Sequence, residues 1–169
     1  LESNSKKETI KIVETSFKED FKVDKPLLKF FGSKEINAIE KDTELSIHKG
    51  AVYCGSFSSR KLNALFKDKN VESMVLTVIV TEKEIGLLML GSYDRAKYLG
   101  DEDTTFIEYI RDVLEKKFLK WSMDNNAFIL NDIKEYLVFI SQVKNLSENT
   151  TKSYERDLKK LCSFVQSLK

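Results

Sequence analysis

Histidine occurs once, proline once, cysteine twice and glycine six times in these 169 residues. Each scarcity removes a class of function. One histidine (His48) and two distant cysteines (Cys54 and Cys162) give neither a Cys/His spacing for zinc nor a CxxC pair, so no metal site is expected. The same cysteines form no disulfide framework, which suits a reduced, cytoplasmic compartment. The glycines build no phosphate-cradling loop, and no cofactor is expected. No apolar run approaches the roughly 18 residues of a membrane span, and no signal-peptide pattern is present, so no membrane association is expected. Charge of one sign is also lacking. The 28 Lys/Arg face 27 Asp/Glu for a net +1, unlike the basic excess of a freestanding nucleic-acid binder.

What is present argues for a packed domain. Hydrophobic residues make up 41% and aromatics 11%, enough for a core and too much for wholesale disorder. The length fits one domain, or one plus a small appendage. Residues 1–9 are polar and expected to fray. Ile10, Val13, Phe17 and Phe21 then recur at helical spacing, although the 17–23 part also reads as strand. Pro26 opens a β-like run, Leu27–Phe31, closed by Gly32, and Ser33 is placed to cap a short helix over 34–42. Ala51–Cys54 is a short β-prone run ending at Gly55. Ser58 and Ser59 are placed to cap a helix whose face is Leu62, Leu65 and Phe66. Val71–Val80 and Ile85–Leu90 are strands joined by four residues, Thr81–Glu84, as a hairpin. Their near-continuous apolarity predicts a sheet covered on both faces. Residues 99–105, acidic where a helix dipole favours it, lead into a long helix with a stripe of Phe106, Ile110, Val113, Leu114, Phe118 and Trp121. Asp124-Asn125-Asn126 is the candidate linker. A second helix follows over 128–143, and Ser147 is placed to cap a third that buries Tyr154, Leu158, Leu161, Cys162, Val165 and Leu168.

The first part resembles a GAF-type α+β domain, an antiparallel sheet flanked by helices. The residues that carry the likeness are the hairpin ending Gly86-Leu-Leu-Met-Leu-Gly-Ser92, and Tyr98-Leu-Gly-Asp-Glu-Asp103 before the long helix. A closer likeness is to the GAF-like bacterial family DUF484, through Cys54-Gly55, Leu62, Leu65-Phe66, Val71, Ser73, Gly86–Ser92, Asp94, Tyr98, Gly100, Thr104/Thr105, Phe106, Ile110, Val113 and Leu114. The domain is expected over 10–123. These motifs are structural and imply a fold more than an activity. A GAF-like pocket would be lined by Phe31, Tyr53, Phe57, Phe66 and Met74, with an unknown small molecule as its ligand; a plain core would use the same residues. The Asn-Lys pair of cyclic-nucleotide-binding GAF domains is missing. His48 reads as a loop residue and Cys54 as a small buried hydrophobe, lacking the neighbouring histidine of tetrapyrrole-binding relatives.

The C-terminal part resembles the start of the core-binding domain of Xer/phage-integrase tyrosine recombinases. There an apolar helix leads into the Leu146-Ser147-Glu148-Asn149-Thr150 turn, then Tyr154, Asp157 and Leu158. The likeness implies the first two helices of that domain, an incomplete helical hairpin over 127–169. A chain that starts at Leu1 and not at Met is expected to be a trimmed piece. Members of DUF484 often lie beside Xer recombinases in bacterial genomes, so a fusion of the two is coherent.

From residue 131 onward there are seven Lys/Arg and five Asp/Glu, a net of +2. Lys152, Arg156 and Lys159 share much of one helical face, with Lys160 four residues after Arg156. The family resemblance places this helix against DNA, with Thr150, Lys152, Ser153, Arg156, Lys159 and Lys160 as the contacting set. The tyrosine nucleophile and its Arg, Lys and His partners belong to a separate domain of such enzymes, so no catalytic residue is assigned and the fragment is expected not to be an enzyme. The functional expectation is a non-catalytic regulatory and dimerisation region of a bacterial site-specific recombinase, partly DNA-binding. It would form a homodimer through the long helix or through exchanged C-terminal hairpins. The alternative is a small-molecule-sensing GAF module with a helical signalling connector and no DNA role.

Overall fold

A computed structural model of the chain describes residues 2–99 and 102–119, together with positions 152, 155, 156, 159 and 160. The chain divides into two units, Leu1–Trp121 and Ser122–Lys169. The elements of the first unit run α1 (Glu2–Glu19), β1 (Lys25–Phe31), α2 (Ser33–Thr43), β2 (Val52–Ser56), α3 (Ser59–Phe66), β3 (Ser73–Val80), β4 (Ile85–Ser92) and α4 (Glu102–Leu119). The class is α+β, and this is the element order that the sequence predicts.

The four strands form one sheet in the order β1-β4-β3-β2, every neighbouring pair antiparallel. Its centre is the β3–β4 hairpin, in register from Ser73↔Ser92 to Val80↔Ile85. Thr81 and Glu84 close the turn, with Thr81 N and Thr81 Oγ1 both donating to the Glu84 carbonyl. Both central strands are buried on both faces, and alternation sorts their side chains. Met74, Leu76, Val78, Leu87 and Met89 face one way, into a core with Ile36 of α2 and Leu62, Leu65 and Phe66 of α3. Val75, Thr77, Ile79, Leu88 and Leu90 therefore face the other way, the side on which α4 packs against β3. There Ile107, Ile110, Val113 and Leu114 are buried. Phe106 meets the ring of Phe21 at 5.6 Å, and Phe118 meets Phe30 edge-on at 4.9 Å. Trp121, the linker 124–126, the helix predicted over 128–143 and most of the third lie outside the described residues. The five positions described beyond 119 are helical.

Helix α1 differs from expectation. Residues 1–9 read as a frayed tail, yet the helix starts at Glu2 and Thr9 is 3% exposed. The cause is remote in sequence. Lys6 ion-pairs with Glu84 in the hairpin turn and sits 4.1 Å above the Phe30 ring, while Val13, Ser16 and Phe17 continue the buried stripe. The N-cap of α2 is Gly32, not Ser33. Glu35 Oε2 accepts from Gly32 N at 2.9 Å, which gives this helix half of a capping box. Strand β2 continues through Gly55 to Ser56, because glycine tolerates the φ of +134° that the strand adopts there. Ser58 caps α3 as predicted, accepting from Lys61 N.

Helical glutamates supply acceptors where the sheet or a loop leaves a backbone donor over. Leu28 N on the edge strand β1 donates to Glu14 Oε1 at 2.9 Å, and Ile47 N in the loop after α2 donates to Glu40 Oε1. Thr81 N points into the turn, so Val80 N points away from β4, past the end of β2; Glu115 Oε1 accepts it at 2.9 Å.

Candidate functional site

Among the described residues, three places carry side chains with chemistry. The first is the predicted ligand pocket. Phe31, Tyr53, Phe57, Phe66 and Met74 do lie together on the sheet face covered by α2 and α3. Phe66 is 2% exposed and Met74 0%, and both pack within the continuous apolar cluster; Phe31, Tyr53 and Phe57 flank it, partly buried. The Tyr53 hydroxyl donates to the Ser46 carbonyl at 2.7 Å and accepts from Ser46 N at 3.0 Å, which pins the loop after α2 against β2. His48, in the same loop, is exposed, with Nδ1 3.0 Å from the Lys49 carbonyl. Cys54 is half-buried on the opposite sheet face, where its thiol donates to the Tyr98 carbonyl at 3.3 Å.

The second place was not legible in the sequence. At the end of the sheet where β1 begins and β4 ends, Asp24 Oδ2 accepts from Ser92 Oγ at 2.8 Å and from Tyr93 N at 3.0 Å. Ser73 Oγ donates to the Asp94 carbonyl at 2.6 Å, and Asp94 N donates to Ser92 Oγ. The Tyr93 hydroxyl donates to Asp68 Oδ2, which also lies 3.7 Å from Lys25 Nζ. These bonds tie three loops to the ends of the strands. The Tyr93 backbone N–H holds the Asp24 carboxyl below the usual carboxylate range, aided by the Ser92 hydroxyl and the Lys97 charge. Asp68 is lowered too, by the Asn70 backbone N–H first, with the Tyr93 hydroxyl and Lys25 adding to it; its carboxylate in turn raises the Tyr93 phenol.

The third place is the predicted DNA face. Lys152, Arg156, Lys159 and Lys160 are described, and with Glu155 they line one open depression of about 500 Å³. Thr150 and Ser153 lie outside the described residues. Glu155 was absent from the predicted set. Its carboxylate accepts from Lys159 Nζ at 2.7 Å one helical turn on. That bond, with the charges of Lys159 and Lys152, holds the Glu155 carboxyl below the usual carboxylate range. The arrangement has four cations and one anion within reach of a single extended polyanion.

Comparison with known proteins places the two parts of the chain. A family model described as "Protein of unknown function, DUF484" matches residues 1–123. The chain belongs to the DUF484 family. A second model, "Phage integrase, N-terminal SAM-like domain", matches residues 133–169. No curated protein matches the chain. The fusion expected from the sequence motifs is thus found by both family models.

Within the DUF484 part, the family-like residues prove to be architectural. Gly86 and Gly91 give room to aromatic rings, Ser73 and Ser92 bind loop ends, and Leu62, Leu65, Phe66 and Val71 fill the core. Asp24 and Asp68 escaped notice because an isolated aspartate in a turn carries no spacing signal; their partners lie 68 and 25 residues away.

Proposed function

We propose that this chain is the regulatory and dimerising end of a site-specific tyrosine recombinase. The DUF484 domain would be the regulatory part, the segment after it would pair protomers and begin the grip on DNA, and the bond-breaking groups would be supplied elsewhere. The observation that carries the proposal is the depression formed by Lys152, Arg156, Lys159 and Lys160 within the segment similar to an integrase N-terminal domain. Cations one helical turn apart follow a phosphate backbone, and phosphate contacts set register and affinity before any base is read.

The sensing alternative has less to support it. It needs space on the α2/α3 side of the sheet, where Phe66 and Met74 are packed into the core.

A gel-shift titration of the full-length protein on a palindromic recombination site tests the proposal. Arg156→Ala combined with Lys159→Ala is expected to weaken binding on every sequence alike. It is also expected to lower the slope of log K against log salt by about 1.8, since each phosphate no longer neutralised removes about 0.9. Unchanged binding and slope would remove DNA contact from this face.

A further inference from the structure

We propose that Glu155 is a built-in competitor for phosphate: its carboxylate occupies, on Lys159, the place that a DNA phosphate oxygen takes, and exchange of one anion for the other sets how firmly the basic face grips nucleic acid. The inference rests on the DNA proposal above and adds a means of regulating that same site.

The geometry points this way. Glu155 is three residues after Lys152 and four before Lys159, so it borders the basic stripe beside Lys159 and is not on the far side of the helix. Glu155 Oε1 lies 2.7 Å from Lys159 Nζ, the length of a charge-assisted hydrogen bond. Both side chains are reachable from solvent, Lys159 73% and Glu155 43% exposed. An exposed pair of this kind contributes little to helix stability, so its presence in the lining of a cationic depression has its main consequence in binding. Of the five residues lining the depression, Glu155 is the one anion. It reduces the formal charge facing a ligand from +4 to +3 and engages one ammonium group. The Lys159 bond favours its ionised form, the form that competes.

The functional consequence follows from how phosphate binding works. Binding to arbitrary sequence is almost wholly phosphate neutralisation, whereas a specific site adds base-edge contacts and DNA shape. An internal anion that must be displaced weakens the first kind of binding more, in proportion, than the second. Glu155 thereby limits how much protein is held on non-specific DNA.

The experiment is a salt titration of the full-length protein by fluorescence anisotropy on a labelled duplex of arbitrary sequence, with thermal melts to confirm equal folding. Glu155→Gln keeps the size of the side chain and removes the charge. It is expected to tighten binding about eight-fold at 0.1 M salt and to steepen the slope by about 0.9, the signature of one more phosphate neutralised. In a Lys159→Gln background the same substitution is expected to lose most of that gain. Arg156→Ala serves as the control for the DNA proposal. If it leaves binding unchanged, the DNA proposal fails and this inference with it. If it weakens binding while Glu155→Gln changes neither affinity nor slope, or acts equally with and without Lys159, only the competitor role is overturned.

Discussion

Asp24 shows how much one side chain organises here. A single carboxylate oxygen takes the Ser92 hydroxyl and the Tyr93 backbone N–H, so the loop after α1 is fixed to the chain leaving β4. Both bonds favour the ionised form, and the carboxyl is held below its ordinary range by Tyr93 N first and Ser92 second. A carboxyl whose folded pKa is depressed contributes stability that is fully present above its unfolded value, about 4, and is lost as pH falls through the folded value. Asp24→Asn is accordingly expected to cost about 1 kcal/mol at pH 7, a hydrogen-bonded charge discounted for partial exposure. That cost should begin to shrink as pH drops below about 4, where the unfolded carboxyl protonates, and vanish once pH has fallen through the lower folded value. Urea midpoints of both proteins across that range measure it. A gap between the two that is independent of pH would show that the charge of Asp24 is immaterial and that only its shape counts.

Among the elements, β4 has the tightest steric demands. A Cβ on Gly91 would lie 2.9 Å from Phe66 Cε1 and 3.0 Å from Val71 Cγ1; on Gly86 it would lie 2.8 Å from Phe30 Cε1. The two glycines face opposite sides of the sheet, as their partners Met74 and Ile79 do, and each leaves space for one aromatic ring. Gly91→Ala is expected to destabilise the domain by about 1–3 kcal/mol through overpacking. Phe66→Leu added to it should recover part of the loss, since the shorter side chain vacates the contested space; denaturant unfolding of the single and double variants reads this directly. A double variant whose loss is the simple sum of the two singles would mean that the ring is not what the methyl meets.

The same strand shows why some elements were legible and others were not. The β3–β4 hairpin announces itself, because two apolar runs, the first rich in β-branched residues, flank Thr81–Glu84 and can pair locally without help. The stripe of α3 and its Ser58 cap are likewise local signals. Helix α1 lacks one in its first turns: Lys6 and Thr9 are polar, and what holds Lys6 is Glu84 and Phe30, far along the chain. Strand β2 passes through Gly55, a residue that ordinarily punctuates, because the φ of +134° there is open to glycine. The candidate DNA face was legible as a basic set with helical spacing, yet Glu155 was not, since an interleaved acid reads as ordinary surface until its oxygen is placed on Lys159.

At the scale of the whole molecule, the two units differ in how self-sufficient they are. Leu1–Trp121 has a sheet covered on both faces, and the large hydrophobic side chains it leaves exposed among the described residues are Tyr93 and Leu99, neither of them on α4. On the described part of α4 the exposed side chains are polar, Asp112 and Lys116. Ser122–Lys169 is small, in the range where a chain seldom sustains a core alone. Of the two dimer routes expected from the sequence, exchange of the C-terminal hairpins is the one proposed. The prediction is that 1–169 is a dimer by light scattering at tens of micromolar, whereas a protein ending at 121 is a folded monomer with cooperative unfolding. A monomeric 1–169 would end the dimerising role. A dimeric 1–121 would instead return the interface to the DUF484 domain, and α4 would then be tested by reversing the charges of its exposed Asp112 and Lys116, which leaves the stripe that meets Phe21 and Phe30 intact.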